Sequence, residues 1–113
     1  MRAKSNLLLN MKTVEARIEG DNLALNVVIP RLDASTAPEF KKEIESIWKP
    51  GITGVAIDLF QLDFIDSSGV GALLNLYKRL TPANQIVKLQ RVKPAVQAVI
   101  ELLRLHRIFE IEA

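Results

Sequence analysis

The chain has no cysteine, which excludes disulfides and thiolate metal sites and is compatible with a reducing, cytoplasmic setting. It has one histidine, His106, so a Ser-His-Asp device or a histidine metal site would rest on a single side chain. No apolar run approaches the roughly 20 residues that cross a bilayer, so no membrane span is expected. The start, Met1–Asn10, carries positive charge and three leucines. Its apolar part is too short for a signal-peptide core, and no small-residue cleavage site follows. Aromatics make up only 5% of the residues, and no basic run interleaves with them, which leaves direct nucleic-acid binding without support. Internal repeats, linkers and low-complexity tracts are also missing, so one domain is expected.

The remaining composition is that of a globular protein: 113 residues, 49% hydrophobic and 25% charged, with a net charge of +2. A chain of this size can bury a core without staples. Val14–Ile18 alternates apolar and polar residues as a half-exposed strand does, Gly20-Asp21-Asn22 reads as a turn, and Leu23–Ile29 as a second strand ended by Pro30. The two form a hairpin. Thr36-Ala37-Pro38-Glu39 marks a helix start, with a capping box between Thr36 and Glu39 and Pro38 in the first turn. Phe40, Ile44, Ile47 and Trp48 share one face of that helix, where Trp48 is expected to pack, and Pro50-Gly51 stops it. Val55–Leu59 is an apolar strand, predicted to be central with both faces covered. A second helix is expected from Gly69 to Leu80, stopped before Pro82. A short strand follows at Ile86–Leu89, and Pro94 opens a last helix with Val96, Val99, Ile100 and Leu103 on its apolar face. Alternating strands and helices imply parallel pairing by right-handed crossovers, and the first hairpin makes the sheet mixed.

Between the central strand and the second helix lies Phe64-Ile65-Asp66-Ser67-Ser68-Gly69-Val70-Gly71. The first amides of a helix lack intrahelical partners and carry partial positive charge. Asp and Ser there are preferred caps, and on local sequence alone capping is the simpler role. A serine there also suits a phosphate. The two roles coexist if Asp66 or Ser68 caps while Ser67 stays exposed. Gly69 and Gly71 allow another backbone or a partner to approach. Asp33, after the first strand pair, is a natural turn-former, and its loop should share one end of a parallel sheet with the serine turn. Asp58 reads as a strand-end carboxylate bonded to nearby amides, and His106 as a helix cap or a cover for apolar surface. Enzyme motifs fail: Ile65 and Asp66 stand where a nucleophile elbow needs glycine. The dinucleotide fingerprint lacks its last glycine, and no Walker lysine follows.

The run Leu62–Gly71 resembles the signature of STAS domains, in particular the bacterial anti-sigma factor antagonists. Leu32–Ala37 resembles the first strand-to-helix loop of that family, and Leu102–Phe109 is similar to its closing helix and apolar tail. The resemblance runs from Thr13 to Ile111. It makes 13–113 the STAS domain and 1–12 an N-terminal extension, an extra strand or a loose tail. Pro30-Arg31 departs from it, since members often carry Gly and an acidic residue there. The resemblance implies an α/β fold, a mixed sheet of about four or five strands packed with about three or four helices. It implies that Ser67 is the phosphoacceptor, with Ser68 the alternative, and that Asp33 contacts a kinase. Asp33, Asp66, Ser67, Ser68, Gly69 and Gly71 then form a partner-binding surface, with no catalytic residue, metal or cofactor. Such a protein, when unphosphorylated, sequesters an anti-sigma factor that is also a serine kinase and so frees a sigma factor; a serine phosphatase resets it. The alternative is a constitutive STAS subunit of a lipid-transport or stress-signalling assembly. An esterase or nucleotide hydrolase using Ser67 has the least support.

Overall fold

Gly20, at a φ of +66°, takes the left-handed conformation that the turn between β2 (Val14–Glu19) and β3 (Asn22–Val27) requires. The two strands pair antiparallel from Val14 opposite Val27 to Glu19 opposite Asn22, the hairpin that the alternation predicts. In this computed structural model, which describes residues 6–80 and 86–112, β1 (Asn6–Asn10) adds to the outer side of β2, also antiparallel. Met1–Ser5 and Pro82 lie outside the described residues. Glu43 ties the turn between β1 and β2 to the first helix: its carboxylate accepts from the Thr13 hydroxyl at 2.7 Å and from the amides of Thr13 and Lys12 at 2.9 and 3.2 Å.

Three crossovers follow. A two-residue strand, β4 (Arg31–Leu32), precedes α1 (Ala37–Ile47), which leads back to β5 (Gly54–Asp58). Another short strand, β6 (Phe64–Ile65), precedes α2 (Ser67–Arg79), then β7 (Val87–Gln90), α3 (Pro94–Leu102) and β8 (Glu110–Glu112). The main sheet has the order β1-β2-β3-β5-β7-β8, parallel from β3 onward. The α/β class, mixed sheet and three helices agree with the sequence reading. The sheet is larger than expected, six strands against four or five, because β1 and the short β8 join its two edges.

β5 is central, between β3 and β7, but its faces differ. Val55 and Ile57 are buried while Ala56 and Asp58 are only half-buried, which corrects the expectation that both faces are covered. The cause is topological. Each crossover advances the sheet in one direction, and right-handed crossovers then place their helices on one side. All the buried apolar residues form one cluster on that side, including Leu23, Leu25, Ile57, Leu89, Phe40, Ile44, Leu73 and Leu76. Glu15, Arg17 and Glu19 are exposed on the other face.

Two helix details also differ from the sequence reading. Thr36 precedes α1 but makes no side-chain cap, so the Thr36–Glu39 capping box does not form. The Thr36 hydroxyl instead donates to the Arg31 carbonyl at 2.9 Å and accepts from the Asp33 amide at 2.9 Å, held by the loop before it. At the far end, α3 stops at Leu102, one residue short of the Leu103 that the apolar face was expected to include. Arg104 adopts a φ of +61°, a 3-10 turn follows over Leu105–Arg107, and Leu103 is exposed rather than on the apolar face. His106 is exposed in that turn. Trp48 packs against the core, with the Arg79 guanidinium 5.6 Å from its ring.

Candidate functional site

The polypeptide reaches the serine turn through two very short strands. β4 and β6 pair in parallel, Arg31 opposite Phe64 and Leu32 opposite Ile65, as a separate two-stranded sheet. Local sequence does not signal them, since two residues carry no periodicity. Their effect is to set the loop after β4 beside the turn after β6. The Asp66 amide donates to the Leu32 carbonyl at 3.3 Å. Asp33, Asp66, Ser67 and Ser68 therefore gather in one region.

Asp66 is the centre of this junction. One carboxylate oxygen accepts from the amides of Ser68 and Gly69 at 2.9 and 3.1 Å, which caps α2. The other accepts from the Ala34 amide at 3.3 Å, across to the Asp33 loop. With Asp66 as the cap, the serines are left free of that task. Ser67 is the first residue of α2 and exposed, Ser68 is half-buried, and neither hydroxyl bonds to another described residue.

Asp33 organises its own loop. It accepts from the Ser35 hydroxyl at 2.7 Å and the Ser35 amide at 3.0 Å, and from Arg31 Nε at 3.2 Å. These bonds, the Ser35 hydroxyl foremost, lower the Asp33 pKa from 3.8 to about 2. A lowered pKa means that the folded loop favours the carboxylate. Its contribution is complete above the ordinary value and fades as the pH falls toward about 2. The turn-forming role read from the sequence is therefore real. Arg31 lies with its guanidinium 4.0 Å from the Phe64 ring centroid, and the Pro30 carbonyl accepts from the amides of Asp63 and Phe64. The Pro30-Arg31 departure is thus built into the site. Sequence reasoning missed the parts played by Arg31, Leu32, Ala34, Ser35 and Phe64. Arg31 stands out as a residue out of the family's pattern, and the other four lie within the runs that resemble it, with no role of their own assigned.

The glycines divide. Gly69 is buried, and a Cβ built on it would lie 2.1 Å from the Leu32 carbonyl oxygen. Its close approach is to its own chain. Gly71 has no atom of the described residues outside its own stretch of helix within 4 Å of the corresponding position, so an added methyl would meet no described neighbour. Gly71→Ala should raise stability by about 0.5–1 kcal/mol through helix propensity. Chemical denaturation checks this, and a loss of stability would mean that the space is not open.

Asp58 accepts from the Phe60 amide at 2.9 Å, as a strand-end carboxylate does, and pairs with Arg91 at 2.5 Å. Among the described residues, no group of His, Cys, Asp and Glu is placed to hold a metal, and no helix is long and apolar enough to cross a membrane.

The family model for the STAS domain matches residues 7–113, and the chain belongs to that family. Solved structures with the same fold include an anti-sigma-factor antagonist (STAS) domain protein from Planctomyces limnophilus. It is 18% identical, with a TM-score of 0.77 over 92% of each chain. An anti-sigma factor antagonist from Mycobacterium paratuberculosis is 20% identical, with a TM-score of 0.70 over 96% of this chain and 85% of that one. The Bacillus anti-sigma factor antagonist SpoIIAA is similar in both of its forms. Its unphosphorylated form is 19% identical, with a TM-score of 0.68 over 96% of this chain and 89% of its own. Its phosphorylated form has a TM-score of 0.60 at 18% identity, over 96% and 92%.

Proposed function

We propose that the protein is an anti-sigma factor antagonist switched by phosphorylation of Ser67. The observation that carries this reading is the division of labour at the start of α2. Asp66 satisfies the helix amides, while the neighbouring Ser67 is exposed with no described partner. Unphosphorylated, the surface around Asp33, Asp66, Ser67, Ser68 and Gly71 binds an anti-sigma factor that is also a serine kinase, and a sigma factor is freed. Gly69 serves that surface by letting α2 close onto β4.

The kinase moves the γ-phosphoryl group of ATP to Oγ of Ser67. The hydroxyl proton passes to a base on the kinase, and ADP leaves. A serine phosphatase hydrolyses the ester and restores the hydroxyl. The protein acts as the substrate of these enzymes, in the cytoplasm, with no cofactor of its own. The SpoIIAA structures support the reading because that protein has a phosphorylated form.

Binding of the cognate anti-sigma kinase, measured by titration calorimetry, tests it. Asp33→Ala should weaken that binding and slow phosphorylation of Ser67, because loss of the carboxylate releases Ser35 and Arg31 and loosens the loop beside the serine. Unchanged binding and phosphorylation rate would leave Asp33 as a turn residue only. Recovery of a transporter or a large assembly in place of a kinase would favour the constitutive subunit instead.

A further inference from the structure

β1 is the end strand of the main sheet, with no strand among the described residues on its outer side, and its sequence reads the same in both directions. Asn6-Leu7-Leu8-Leu9-Asn10 is a palindrome about Leu8. It carries no charge and no proline, and its register against β2 runs without a bulge. These are the devices by which proteins normally blunt an open edge. The opposite edge has them: β8 presents Glu110 and Glu112, the latter paired with Lys88 at 3.6 Å and Gln90 at 3.0 Å.

The backbone phase of β1 matches its palindrome. The turn into β2 is closed by the Met11 amide donating to the Val14 carbonyl at 2.9 Å. Facing pairs of an antiparallel ladder alternate between bonded and non-bonded. Leu9 opposite Ala16 is therefore a bonded pair, and Leu8 opposite Arg17 is not. The N–H and C=O of Leu8 project from the free edge, and so do those of Asn6 and Asn10. The centre of the palindrome is a residue whose backbone is available to a neighbour.

We propose that β1 pairs antiparallel with β1 of a second copy of this chain, about a two-fold axis at Leu8, joining two sheets edge to edge. A two-fold interface must be complementary to itself. The palindrome satisfies that requirement, with leucine against leucine and asparagine against asparagine. Leu8 of each copy exchanges both backbone bonds with Leu8 of the other, as Asn6 and Asn10 do with each other. A different protein's strand would have no need of the symmetry. Leu8, 55% exposed in the single chain, is covered by its counterpart. An edge contact alone is smaller than a standard interface, so the dimer forms reversibly and depends on concentration. Asp33 and Ser67 are not on β1, so the pairing does not depend on the switch.

The test is sedimentation velocity from micromolar to near-millimolar concentration. The wild type should pass from monomer to dimer. Leu8→Glu should stay monomeric: its carboxylate meets Arg17 within the chain, which supports the fold, but meets an identical carboxylate across the axis. Leu8→Lys should also stay monomeric for the same reason across the axis. An equimolar mixture of the two variants should dimerise, because Glu then faces Lys. Thermal unfolding followed by circular dichroism verifies that each variant is folded. A wild type that stays monomeric throughout, single variants that dimerise like it, or a mixture that stays monomeric would each overturn the proposal.

Discussion

Gly69→Ala should lower the melting temperature by on the order of 10 °C, while the same change at Gly71 raises it. Both glycines lie in α2, where alanine gains about 1 kcal/mol in helix propensity. Their surroundings reverse the sign at Gly69. A methyl there would sit 2.1 Å from the Leu32 carbonyl oxygen and 2.7 Å from Cγ1 of Ile65. The carbonyl belongs to the backbone and cannot turn away as a side chain does. Either β4 or the first turn of α2 must move. Movement opposes the bond from the Asp66 amide to Leu32 and the bond from the Ala34 amide to Asp66. Overpacking of this kind costs roughly 1–3 kcal/mol, and more where backbone must shift. The backbone clash puts this site above that range, at about 4 kcal/mol; with the propensity gain of about 1 kcal/mol subtracted, a net loss of about 3 kcal/mol remains, equivalent to the stated change in melting temperature. Calorimetry on the two variants side by side measures the difference. Equal melting temperatures would mean that α2 and β4 are not in close contact.

Ser67→Glu should leave stability unchanged or slightly raised and weaken binding to the anti-sigma partner. Ser67→Ala should leave both unchanged, apart from abolishing phosphorylation. The stability half rests on Asp66, which already caps the helix. A serine that capped it would cost ~1 kcal/mol when lost. An exposed one without a described partner should cost within ~0.5 kcal/mol, and a negative charge at the first turn of α2 gains from the helix dipole. The binding half rests on charge and volume. Phosphate brings about −1.5 to −2 charges and three acceptor oxygens. It arrives next to Asp66, at the junction that Asp66 makes with the Asp33 loop, on the surface that the proposed partner covers. A loss of roughly 3–4 kcal/mol weakens affinity a few hundredfold. Glutamate, with a single charge, should produce part of that loss. Titration of the partner against the three forms reads the binding half, and chemical denaturation the stability half.

Much of this was legible in the sequence because it is written in local periodicity. The alternation of Val14–Ile18 and the turn at Gly20 gave the hairpin; helical spacing gave Phe40, Ile44 and Ile47 as the inner face of α1. The serine turn was legible in its residue types. Which residue caps α2 was not. Asp66 and Ser68 are both good caps, and the choice is decided by the Ala34 amide, 32 residues earlier, which holds Asp66 in place. The approach of Gly69 to Leu32 is equally non-local. β4 and β6 are too short to show a pattern, yet they bring the two loops together. The open sheet face was missed because it depends on the order in which strands join, not on any one strand.

The most direct test of the switch is to incubate the protein with its cognate anti-sigma kinase and ATP and to locate the phosphate by mass spectrometry. The account predicts one phosphate, on Ser67, and loss of the complex as it accumulates. Phosphate on Ser68 would move the acceptor by one residue. No phosphate on either serine, with the complex intact, would contradict the switch.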